Sequence, residues 1–130
     1  MKKLKRRFVI PIIVLAVIFV LFHTILFVGY VPTESMEPTI HKDSFIVGCR
    51  IFDELEIGDV VIFQNEGELL VKRVASVSGS TIKHNSQCLE VPANSLYLLG
   101  DNPDNSWDSR YWDNPFVSVD QVRAKVLFGK

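Results

Sequence analysis

"ELLVKRVASV", residues 68–77, has the pattern of a β-strand. It runs ten residues without Gly or Pro. Period-two alternation puts Leu70, Lys72 and Val74 on one face of a strand, and Leu69, Val71, Arg73 and Ala75 on the other. Each face carries one cation among aliphatic residues. A lysine held between two apolar neighbours is a candidate for desolvation, which disfavours the ammonium and lowers its pKa. The competing reading is a sheet-edge lysine that snorkels its charge to water.

Working outward, five further stretches read as strands: "SFIVGCR" (44–50), "DVVIFQ" (59–64), "STIKH" (80–84), "SLYLLG" (95–100) and "VRAKVLF" (122–128). The turn signals "EIGD", "NEG", "SGS", "VPAN" and "DNPDNS" separate them. No stretch past residue 30 keeps helical period for three turns. The expected fold is mainly β: a coiled antiparallel sheet, closing at most into a partial barrel.

Upstream lies an uncharged run from Phe8 to Val28, "FVIPIIVLAVIFVLFHTILFV". As a helix rising about 1.5 Å per residue it matches the roughly 30 Å hydrocarbon core of a bilayer. Pro11 falls in its first turn, where a missing N–H costs little, and His23 reads as a tolerated polar residue near the outer end. Five of the first seven residues are basic, and the next cation past the run is Lys42. The chain therefore divides into a cytoplasmic basic tail (1–7), a transmembrane anchor (8–29) and an extracytoplasmic β domain (30–130). A cleaved secretory signal fits less well, because the run is long and "LFVGY" offers no small-x-small cleavage site.

Formal net charge is −1, with 14 basic against 15 acidic residues. With the five N-terminal cations set aside, nine remain against the same 15 acids. That balance argues against nucleic acid as a partner. Cys49 and Cys88 lack metal-ligand spacing, and the sequence leaves open whether they are bonded.

"VPTESMEPTI" (31–40) places Ser35 in a Pro-flanked turn just beyond the apolar run. Such a serine is often a turn or capping residue. As a nucleophile it needs a base, yet His23 lies in the apolar run, and His41 and His84 have no triad context. A neutral lysine can serve instead. Its pKa must then fall from about 10.4 towards 7 or 8, at a cost of roughly 4 kcal/mol. "GDNPDNSWDSRYWD" (100–113) is rich in Asp but fails calcium-loop spacing, since Pro103 or Ser109 stands where a ligand or Gly is required. Asp108 and Arg110 can pair, and Trp107, Tyr111 and Trp112 are too apolar for a freely solvated loop.

Taken in order, Ser35-Met36-x-Pro38-Thr39, Gly58-Asp59-Val60, Lys72-Arg73 and Gly100-Asp101-Asn102-x-x-x-Ser106-x-Asp108-Ser109-Arg110 resemble the four motif blocks of type I signal peptidase. The resemblance covers essentially the whole chain, in a minimal single-span form. It implies a membrane serine endopeptidase, without metal or cofactor, that removes signal peptides from exported precursors by cutting after small residues. Ser35 would be the nucleophile and Lys72 the general base. Thr33 would help form the oxyanion hole with the Ser35 N–H, and Ser106 would hydrogen-bond and orient the lysine. Asp108 and Arg110 would form a supporting ion pair, and Asp101 would brace Arg73. Pro32, Met36 and Leu70 would wall the substrate pockets. The implied partners are signal peptides and membrane lipid.

The chain departs from the family pattern in places. Only 27 residues separate Lys72 from Gly100, too few for the insertion domain of many Gram-negative members. Pro103 occupies a slot where a basic residue is common, and "VRAKV" lacks the usual glycine. Mitochondrial inner-membrane peptidases share the motifs. Endoplasmic-reticulum relatives carry His in place of Lys72, and self-cleaving SOS repressors use a Ser/Lys pair in the cytoplasm. A non-enzymatic anchored β scaffold would explain the anchor and the strands, but not Ser35, Lys72 and Ser106 at these spacings.

Overall fold

The computed structural model describes residues 2–128. The apolar run forms the body of a helix, α1 (Lys2–Thr24), in which Pro11 lies in the interior instead of the first turn. From Arg6 to Thr24 it is long and apolar enough to cross a membrane, and none of that length is buried against the rest of the chain.

The helix stops before the apolar run does. The Ile25 N–H still donates to the Leu21 carbonyl (3.0 Å), but Leu26–Val31 is a strand, β1. Its residues pair antiparallel with β2 (Ser44–Cys49), from Leu26↔Cys49 to Val31↔Ser44. An anchor helix over residues 8–29 is therefore shortened at its C-terminal end. The physical reason lies in "LFVGYV": aromatic and β-branched residues suit a half-buried pleated surface, and a glycine weakens a helix. Hydrophobicity alone does not separate lipid-facing from sheet-forming residues.

The remaining strands are β3 (Val60–Asn65), β4 (Glu68–Val77), β5 (Thr81–His84), β6 (Gln87–Glu90), β7 (Ser95–Leu99), β8 (Phe116–Ser118) and β9 (Val122–Val126). Of the nine described strands, seven form one antiparallel sheet in the order β1-β2-β9-β3-β4-β7-β8, and β5 and β6 make a separate hairpin. All six stretches read as strands are strands. β1, β6 and β8 are additional; the last two are four and three residues long, too short to show alternation. The sheet is open, with β1 and β8 as its edges, so no closed barrel forms.

β3 separates two hydrophobic cores on opposite faces of the sheet. Val60 and Ile62 pack on one face with Val31, Met36 and Ile46. Val61 and Phe63 pack on the other with Val74, Leu96 and Leu98. Lys72 lies opposite Val61 in the β3–β4 register and so points toward the second core. Along β4 the partner on one side is β3, from Glu68 to Arg73. On the other side β7 covers only Arg73 to Val77. Among the described residues, the main chain of 68–72 is thus left without a strand on that side.

Candidate active site

Lys72 is 4 % exposed and Ser35 6 %. The Lys72 Nζ lies 2.7 Å from the Ser35 Oγ. Strand alternation brings Lys72 inward between Leu70 and Val74, and a turn after β1 delivers the serine to it. Burial pushes the lysine down from 10.5 to about 8; the carboxylates of Asp108 and Asp101 pull it up, and Arg110 pushes it down further. At that value roughly a tenth to a fifth of the amine is neutral near physiological pH, and able to accept the serine's proton.

The serine's turn is fixed from several sides. Within it, Glu37 N–H donates to the Glu34 carbonyl and Ile40 N–H to that of Met36. Met36, with no exposed surface, plugs the turn into the first core. The Asn102 N–H donates to the Ser35 carbonyl (3.0 Å), and the Asn102 Nδ2 to the Glu34 carbonyl (3.0 Å). Gly100 lets these segments meet. A Cβ there would collide with the Ser106 Oγ and stand 2.6 Å from the Ser35 carbonyl oxygen.

Asp108 organises the floor beneath. Its fully buried Oδ2 accepts from the Ser106 hydroxyl (2.6 Å), the Gly100 N–H (2.9 Å) and Arg110 Nη2 (2.7 Å). Its Oδ1 accepts from Arg110 Nε (2.8 Å). Burial alone would raise this carboxyl, but the bonds from Arg110, Ser106 and Gly100 outweigh it and hold the pKa below the usual range. The other face of β4 carries a second network. Arg73 grips Asp101 with both prongs, Nε to Oδ1 at 2.8 Å and Nη2 to Oδ2 at 2.6 Å. Its Nη1 donates to the carbonyl of Gly58 (2.7 Å), a residue whose φ of 97° favours glycine. Asp101 too is raised by burial but lowered on balance by bonds from Arg73 and Thr39. Beside this network, the buried Asp59 pairs with Lys125 at 2.8 Å.

The residues named from sequence gather here, though not always as expected. The Thr33 Oγ1 sits 3.3 Å from the Ser35 Oγ. Ser106 donates its hydroxyl hydrogen to Asp108, two residues away on the same loop; its oxygen lone pairs stay available to accept from the Lys72 amine, the partner expected from sequence. Met36 has no surface to offer a substrate, because the turn closes over it, while Pro32 is exposed and Leu70 half-buried. Sequence reading missed the roles of Asn102, Gly100 and Thr39. Each stood in a quoted motif, but without any sign that it would touch a segment more than sixty residues away.

A hydroxyl held against a desolvated amine, on an open antiparallel sheet, is an arrangement suited to nucleophilic acyl transfer. The signal peptidase, peptidase S26 family matches residues 4–89 and 80–129. The chain belongs to that family, and so to a family of peptidases. Its relatives include the signal peptidase I of Bacillus amyloliquefaciens, 27 % identical over 76 % of this chain and 74 % of that one. The probable signal peptidase I-1 of Synechocystis is 23 % identical over 76 % of this chain and 68 % of its own. The mitochondrial inner membrane protease subunit 1 of Mus musculus is 30 % identical, with 72 % and 63 % covered.

Proposed function

We propose that the chain is a membrane-anchored endopeptidase that removes signal peptides with a Ser35/Lys72 dyad. The observation that carries this reading is the 2.7 Å approach of a buried lysine to a buried serine. Neutral Lys72 takes the Ser35 proton as Oγ attacks the scissile carbonyl. The oxyanion meets the Thr33 hydroxyl and the Ser35 N–H. Lys72 then gives the proton to the departing amine. A water, deprotonated by the same lysine, hydrolyses the ester and frees the serine. Asp108–Arg110 and Arg73–Asp101 hold the loop and strand that present these groups. Ser106 supports the lysine site through Asp108.

The unpaired main chain of β4 at residues 68–72 supports the mode of substrate binding. An extended peptide can add there as a strand beside Ser35, with Pro32 and Leu70 walling the pockets for small residues before the cut. The apolar α1 supports membrane anchoring. The basic residues before it support a cytoplasmic N-terminus and a catalytic domain on the far side. A precursor held in the same bilayer by its own signal sequence suits a nucleophile placed close beyond α1.

Purified full chain mixed with one exported precursor, with the new N-terminus read by mass spectrometry, tests the proposal. Cleavage after a small residue, lost in Ser35→Ala, is expected. Cleavage that survives Ser35→Ala removes the dyad, and an unaffected function in that variant favours a scaffold. The mouse relative keeps a mitochondrial inner-membrane setting as a second reading with the same chemistry; fractionation of the native source separates the two.

A further inference from the structure

At the junction between α1 and the sheet lies one arginine side chain outside the site. Arg50 directly follows β2. Its backbone N–H donates to the Ile25 carbonyl (2.7 Å), and its Nε donates to the Leu26 carbonyl (3.1 Å). Its guanidinium lies 4.9 Å from the centre of the Phe27 ring, and a Cβ at Gly29 would stand 3.0 Å from that same ring. Three consecutive residues at the foot of the helix are thus held by one arginine. Ile25 belongs to both sides: its N–H closes the last helical bond to Leu21, and its carbonyl is taken by the sheet. The apolar length of α1 is otherwise unburied. Beyond the junction the path to the nucleophile is stiff, because β1 is paired residue by residue to Val31 and the turn of Ser35 is pinned by Asn102.

We infer that Arg50 is a positioning residue: it locks α1 to the sheet and so sets the height above the bilayer at which Ser35 meets a membrane-held substrate. The inference rests on the function proposed above. An arginine suits the task because its planar head can donate to a carbonyl while lying over a ring. Its loss leaves the backbone bond to Ile25 and the dyad in place, but frees the angle of the helix. A substrate whose cut site is itself held at fixed height should then be met less often in register. A substrate free in solution should not register the change.

The test uses the full chain in phospholipid vesicles and two substrates. One is a short soluble peptide spanning a cut site. The other is a membrane-inserted precursor set, with zero to four extra residues between hydrophobic segment and cut, each adding about 3.3 Å when extended. Arg50→Ala is expected to stay within about twofold of wild type on the peptide but lose about tenfold in kcat/KM on the unaltered precursor, as misplacement of a reacting group does. It should also accept a broader range of spacer lengths, and Arg50→Lys should fall between. Equal losses on both substrates would show a merely structural residue and overturn the inference, as would no loss on either. A wild-type enzyme indifferent to spacer length overturns it too. Failure of the wild type on both substrates is a separate result, which removes the peptidase reading itself.

Discussion

Lys72 carries a cost that the proposed role as general base would explain. With a folded pKa of about 8 against 10.5 in the unfolded chain, its protonated form near pH 7 is disfavoured by about 3 kcal/mol. The unfolded state binds the extra proton between those two values, so stability rises with pH across that window and the penalty is full below it. Lys72→Met should therefore abolish cleavage yet raise stability at pH 7 by roughly 1–3 kcal/mol. The gap from wild type should close as pH approaches 10. Denaturant melts at both pH values measure this, and a destabilised variant at pH 7 would contradict the dry-amine account. Turnover should climb through a limb near pH 8 as the amine loses its proton. Asn102→Ala removes the side-chain bond to Glu34 while leaving the backbone one. It should cost about 1 kcal/mol of stability, with a tenfold or greater loss of turnover from a looser nucleophile. At this scale Lys72 was partly legible: two aliphatic neighbours on its own strand offered a dry site, but the strand fitted a snorkelling edge lysine as well, and burial decided between them. Asn102 was not, because its partners lie in a turn that only folding brings near.

Elements differ in how openly the sequence shows them. β4 announced itself through ten alternating residues, and the bulge between Val74 and Ser76 disturbs that alternation only past Lys72. β1 hid inside the apolar run, because residues suited to a strand and residues suited to lipid are the same types. The two roles separate on truncation. Removing residues 1–24 deletes a helix that buries nothing in the sheet, and should leave the melting temperature of the β domain nearly unchanged. Removal through Val31 strips an edge strand and a residue of the first core, and should destabilise by several kcal/mol. Equal melting temperatures for the two truncations would deny β1 its structural part. Gly100→Ala is the sharpest change at this level. Its methyl would displace either Ser106 or the Ser35 carbonyl, so activity should fall at least a hundredfold even where circular dichroism shows a folded sheet.

The molecule as a whole is a sheet clamped by charge on both faces of β4. Asp108–Arg110 lies below the Ser35–Lys72 pair, and Arg73–Asp101 lies behind it. Both carboxyls are held below their unfolded value of 3.8. Their contribution is complete above that value and disappears as pH falls through the folded pKa values beneath it. The fold should therefore hold steadily from pH 7 to pH 5 and lose stability below about pH 4, a course that thermal melts across this range would follow. The overall architecture could be read because turn residues punctuate every long strand. The openness of the sheet could not, since closure depends on the pairing of two edges far apart in sequence. Among the described residues that openness leaves a gap near Ser35, where β7 stops short of Glu68 to Lys72. Under the proposed function the protein is a sheet lacking a strand, made whole for a moment by the very chain it severs. A mimic with the same extended backbone but no breakable bond at Ser35 would fill the vacancy and stay there.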